Sequence, residues 1–95
     1  MTTLQAAERT LTCSDSVVCA ELDGESVLLN VETGIYFGLD TLGTRIWTLL
    51  SAGATETQLT DTLLEEYDTT RSQLEKDLAT FLGTLHAKAL IAASD

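Results

Sequence analysis

Few side chains in this 95-residue chain could do chemistry: Cys13, Cys19, the single histidine His86, and the acidic groupings Glu65-Glu66 and Glu75 with Asp77. A thiol protease needs a cysteine activated by an imidazole beside it and donors placed for the oxyanion. Cys19 with His86 supplies the residue types, but Cys19 falls inside a β-rich segment and no glycine-rich elbow surrounds it. The six-residue separation of Cys13 and Cys19 matches no zinc or redox motif, so the pair reads as small hydrophobes with reducible thiols. One histidine cannot complete a His-based metal site with the ligands available, and His86 reads as a surface residue at a helix end. Carboxylates act as acid and base when a cleft separates their pKa values. On helices, groupings such as these are ordinarily solvated faces or favourable first-turn charges. Gly34 and Gly38 flank a strand without a following lysine, so they make no phosphate loop. The expectation is a protein with no catalytic residues, no metal and no cofactor.

Charge narrows the partners. Fifteen acidic residues against five basic ones give a net charge of −10. That charge repels nucleic acid and anionic membrane surfaces, and it leaves neutral or basic ligands open. A purely solubilising role for the charge is the plainer alternative. No long apolar run and no basic, hydrophobic N-terminal signal is present, which points to a cytoplasmic protein. With 44% apolar residues and no proline or low-complexity stretch, the chain suits one domain.

The elements that would position a binding site follow from periodicity. Residues 1 to 14 show no sustained period and read as a flexible N-terminal arm with a short extended piece around Leu11; the domain proper spans residues 15 to 92. Val17 to Leu22 and Ser26 to Val31 are β-rich segments flanking Asp23-Gly24, the residue pair that a two-residue type I′ turn requires. That turn pairs Leu22 with Glu25, Ala20 with Val27 and Val18 with Leu29. It gathers Val18, Ala20, Leu22, Val27, Leu29 and Val31 on one face, expected to cover the core. A third strand, Ile35 to Leu39, follows a three-residue loop in which Val31 faces Ile35 and Leu29 faces Phe37. Ile35, Phe37 and Leu39 then turn to the core and Tyr36 away from it, whereas a two-residue loop would reverse the assignment. Asp40 or Thr41 can cap a first helix bearing Leu42, Ile46, Trp47, Leu49 and Leu50 and ending at Gly53. Thr55 with Gln58 makes a capping box for a second helix, and Thr70 with Gln73 repeats the device for a third that carries Leu74, Leu78, Phe81, Leu82 and Leu85. The fold class is α+β: an N-terminal three-stranded antiparallel sheet followed by three helices, in the manner of a winged helix-turn-helix.

The third strand has a partner on one side only, so its other edge offers unpaired backbone groups next to the third helix. An extended peptide could add there, taking affinity from backbone bonds and specificity from side-chain pockets. The alternative is that Leu74, Leu78, Phe81 and Leu82 are simply core. Three helices beside a small sheet also suggest a DNA-binding regulator. Against that, the third helix sets Arg71 and Lys76 beside Glu75 and Asp77 and cannot neutralise a run of phosphates.

Four phrases in order, Ser14-Asp15-Ser16-Val17-Val18, Asp23 to Asn30, Thr33 to Asp40, and Gly43-Thr44-Arg45-Ile46-Trp47, resemble the PqqD family, and the likeness runs on through Leu59 to Tyr67 and Asp77 to Leu85. It covers roughly residues 14 to 92. The resemblance implies a winged-helix recognition element for ribosomally made, post-translationally modified peptides, with the leader lying as an added strand against the third strand beside the third helix. The sequence looks most like the stand-alone version from lasso-peptide systems, which implies a precursor leader peptide as ligand and a separate leader peptidase and cyclase as partners. The branch that hands a precursor to a radical enzyme in cofactor synthesis is the alternative. Carried over by position, the peptide contacts fall on Ile35, Tyr36, Phe37 and Gly38 of the strand and on Leu74, Asp77, Leu78 and Phe81 of the helix, flanked by Val31 and Leu82. Trp47 matches the family pattern but reads as core.

Overall fold

The structure, a computed structural model, describes residues 10 to 94. In chain order the elements are β1 (Thr10–Cys13), β2 (Val17–Leu22), β3 (Glu25–Asn30), β4 (Ile35–Leu39), α1 (Thr41–Ser51), α2 (Glu56–Glu66), α3 (Arg71–Ala87) and β5 (Ile91–Ser94). β2, β3 and β4 form an antiparallel meander, and β1 pairs separately with β5. Residues 1 to 9 of the expected arm lie outside the described residues. Its extended piece around Leu11 is β1, where Leu11 is buried and pairs with Ala93 of the closing strand.

Local chemistry accounts for most boundaries. Asp23 and Gly24 both take positive φ, 56° and 83°, as a type I′ turn demands, and the register of β2 with β3 is the one that turn imposes. Asp40 caps α1 by accepting a hydrogen bond from Gly43 N–H at 2.8 Å. A Cβ on Gly43 would stand 3.3 Å from both Asp40 Oδ1 and Leu39 Cδ2, so a glycine lets the corner between β4 and α1 close tightly. Thr55 and Gln58 form the reciprocal capping box of α2. At α3 only half of that device is present: Thr70 accepts from Gln73 N–H, while the Gln73 amide reaches forward to Asp77 at 2.9 Å.

The sheet faces are reversed from expectation. Val18, Ala20, Leu22, Val27 and Val31 are exposed and Leu29 is half-buried, whereas Ser26, Leu28 and Asn30 are turned inward and buried. The inward face contains two polar residues because each finds partners there. Ser26 Oγ lies 2.8 Å from Thr44 Oγ1. Asn30 accepts from Glu32 and Thr33 N–H and donates through Nδ2 to the Ala89 carbonyl at 3.1 Å, tying the sheet to the end of α3. A satisfied polar group can be buried at little cost, so counting apolar residues picked the wrong face.

The register of β4 also differs. The loop spans the four residues 31 to 34, closed by Gly34 N–H donating to the Asn30 carbonyl at 2.7 Å, so Asn30 faces Ile35 and Leu28 faces Phe37. Phe37 and Leu39 turn inward as expected, with Leu39 buried, whereas Ile35, also expected to face the core, is exposed at the start of the strand. Around Leu28 and Leu39 the core collects Ile46, Trp47 and Leu50 of α1, Leu59 and Leu63 of α2, and Leu74, Leu78, Leu82 and Leu85 of α3.

Candidate functional site

β4 borders the sheet, and the ladder shows which of its backbone groups are free. Val31 N–H donates to the Ser16 carbonyl, so the odd-numbered residues of β3 point their peptide groups to β2 and the even-numbered ones point to β4. The partners of those even residues are Ile35, Phe37 and Leu39. Tyr36 and Gly38 therefore direct their N–H and C=O groups out of the sheet, and no described strand pairs with that edge. The open edge offers two donors and two acceptors in a row, the pattern a further strand would pair with.

Beside this edge a groove of about 310 Å³ runs between β4 and α3, floored by α1. Gly38, Leu39 and Asp40 supply one wall, Leu74, Asp77, Leu78 and Phe81 the other, and Leu42, Gly43 and Ile46 the floor. This volume lies at the lower end of the range for small-ligand sites and suits one or two side chains of an extended chain. The helical wall follows from spacing, since residues 74, 77, 78 and 81 recur every three or four positions and share one face of α3. Phe37 packs near the wall, its ring centroid 6.5 Å from that of Phe81, and Lys88 Nζ stands 5.6 Å above the Phe37 ring.

The expected site residues divide accordingly. Gly38, Leu74, Asp77, Leu78 and Phe81 come together in the groove, and Phe37 joins them through Phe81. Ile35 starts β4 and is 38% exposed. Tyr36 reaches the site through its backbone alone, because its side chain is on the outer sheet face. Val31 lies in the loop with its side chain exposed, and Leu82 lines a separate cavity with Leu11, His86 and Ile91. Neither lines the groove. The groove also takes Leu39, Asp40, Leu42, Gly43 and Ile46, which the sequence does not single out as site residues; the available signal is the four-residue step from Leu42 to Ile46 directly after the strand.

The groove contains no assembled acid–base or nucleophilic centre. Asp40 is engaged in capping α1, and Asp77 accepts from Gln73. Cys13 lies away from it, and burial pushes its thiol pKa up, against the thiolate form that a nucleophile requires. Among the described residues, no group of three or more His, Cys, Asp or Glu is placed to hold a metal ion, and no helix is long and apolar enough to cross a membrane. Between residues 10 and 44 the chain has six carboxylates, Asp15, Glu21, Asp23, Glu25, Glu32 and Asp40, and no lysine or arginine. Among the described residues both arginines are engaged by acids: Arg45 with Glu66 at 2.6 Å and Arg71 with Asp61 at 2.8 Å.

Comparison with known proteins agrees with this architecture. The structure titled "TbiB1 in Complex with the TbiA(beta) Leader Peptide" shares 45% sequence identity, covering 84% of this chain and 93% of that chain with a TM-score of 0.82. A second, "Lasso peptide synthetase B1 complexed with the leader peptide", is 23% identical, covers 86% of this chain and 96% of that one, and shares the fold with a TM-score of 0.78. Comparison with curated proteins finds no match. The family profile described as coenzyme PQQ synthesis protein D (PqqD) matches residues 25 to 91. A profile matching that much of the chain, together with the TbiB1 likeness, identifies the family: this protein belongs to the PqqD family.

Proposed function

We propose that this chain is a non-catalytic adaptor that binds the leader of a ribosomally made precursor, of the lasso-peptide kind, by adding it as a strand to β4 beside α3. The observation that carries this reading is the pairing of an open edge, with the Tyr36 and Gly38 peptide groups turned outward, and an apolar groove directly alongside. The leader-peptide complex of the 45%-identical structure supports the class of ligand. Backbone bonds supply affinity for any extended chain, and the pocket over Leu78 and Ile46 selects which side chain enters. After the cost of ordering a free peptide, affinity falls in the submicromolar to micromolar range, roughly −8 kcal/mol or somewhat stronger.

An adaptor also needs a surface for the enzyme it serves, and the outer sheet face suits that role. Leu22 is 77% exposed, Val31 59%, Val18 56% and Val27 45%, alongside Tyr36 at 69%. Apolar groups gathered on one exposed face mark an interaction site. The surrounding carboxylates would repel the same face of a second copy, so the occupant is a separate protein with an apolar patch rimmed by basic residues. In this reading that protein is the leader peptidase, and the cyclase acts after it.

The test is titration of fluorescent TbiA(beta) leader peptide against a scrambled peptide, followed by anisotropy. The leader saturates at micromolar protein or below and the scrambled peptide does not. A Leu78→Glu variant that remains folded, as reported by the fluorescence of the single Trp47, loses binding; unchanged binding by that variant would remove the groove from the account.

A further inference from the structure

We propose that the groove reads charge as well as shape: Asp77 meets a basic residue of the bound strand, and Lys88 meets an acidic residue about five positions nearer the ligand's C terminus. This rests on the strand-addition reading and adds the charge pattern of the ligand.

Asp77, Phe81 and Lys88 lie on one stripe of α3 and its C-cap, since steps of four and seven residues return to the same helical face. The eleven residues from Asp77 to Lys88 span roughly 16 Å at 1.5 Å per residue. An extended chain advances about 3.3 Å per residue, so it bridges the two charges in about five. β4 is itself five residues long and runs opposite to α3: Gly38 and Leu39 share the groove with Asp77, while Phe37 packs by Phe81 and Lys88. A strand added antiparallel to β4, the more stable pairing, therefore enters at Asp77 and leaves at Lys88.

The state of Lys88 is what points to a ligand. Arg45 and Arg71 both engage carboxylates of the protein. In a chain with three acids for each base, neither Lys76 nor Lys88 has a carboxylate of the described residues at ion-pair distance; Lys76 is exposed, whereas Lys88 lies half-buried over the Phe37 ring. A positive charge at a helix C-terminus is favourable by itself. That effect does not require the ammonium to stand over the strand that a ligand would join. Asp77 has one oxygen bonded to Gln73, and no described residue bonds the other.

The experiment uses the full chain and the TbiA(beta) leader peptide, with each peptide position replaced in turn by glutamate and by lysine. At one position glutamate binds wild type at least fivefold more tightly than lysine, and the preference inverts for Lys88→Glu. About five positions earlier lysine is preferred, and that preference inverts for Asp77→Lys. Lys76→Glu, which makes the same charge change off the stripe, inverts neither. If no position inverts with Lys88→Glu while Leu78→Glu still abolishes binding, the charge assignment is overturned and the adaptor reading survives. If no peptide of the set binds wild type, both fall.

Discussion

Proline placed at alternate positions of β4 separates the roles of its two sides. The Gly38 N–H points out of the sheet and the Phe37 N–H points to Leu28, so Gly38→Pro removes a donor the fold does not use and Phe37→Pro removes one it does. Edge strands tolerate proline where the lost N–H faces outward. Gly38→Pro is therefore expected to change stability by no more than about 1 kcal/mol, and a Cβ at Gly38 would meet no atom within 4 Å. Phe37→Pro loses a ladder bond and the ring packed on Phe81, at a cost of about 3 kcal/mol or more. For an added strand the order reverses. Losing the Gly38 donor forfeits one hydrogen bond and strands a ligand carbonyl, together about 2–3 kcal/mol, or roughly 30- to 150-fold in affinity. Urea unfolding followed by Trp47 fluorescence measures the first quantity, and leader anisotropy measures the second. Equal destabilisation by the two prolines would refute the derived ladder. Full leader affinity in Gly38→Pro would refute strand addition.

Two other perturbations probe the remaining surfaces. Asn30→Ala leaves the Ala89 carbonyl and two loop N–H groups without their partner, and should lower unfolding free energy by about 2–3 kcal/mol in urea titration. Leu22→Lys sets a cation opposite Glu25 on an exposed position, so stability changes by no more than about 0.5 kcal/mol and leader affinity is kept. If the outer face docks the proposed peptidase, leader cleavage in a reconstituted assay should be lost with that variant; unchanged cleavage would exclude that role for the outer face.

What the sequence revealed, and what it hid, has a common physical cause. Elements bounded by local chemistry were legible: the Asp23-Gly24 turn, the Asp40 cap, the Thr55–Gln58 capping box and the stop at Gly53 each depend on residues within a few positions of one another. The open edge and the Leu74, Asp77, Leu78, Phe81 wall were legible for the same reason. The sheet faces were not. Ser26 and Asn30 are acceptable inside only because Thr44 and Ala89, 18 and 59 residues away, meet them there. Meanwhile the apolar alternation of Val18, Ala20, Leu22, Val27 and Leu29 belongs to a face that the folded chain leaves outward. The β1–β5 pair joins the two ends of the described chain and has no local signature. In β4 a single extra loop residue shifts the partner while Phe37 and Leu39 still turn inward, so the groove forms beside the strand in spite of the different register.

Amide hydrogen exchange of Tyr36 and Gly38, read by NMR with and without bound leader, tests the central claim most directly. Free, these two amides should exchange fast while those of Phe37 and Leu39, bonded to β3, are protected. Bound leader should slow Tyr36 and Gly38 by at least tenfold and leave their neighbours little changed. Protection of Tyr36 and Gly38 already present in the free protein, or none gained on saturation with leader, would contradict it.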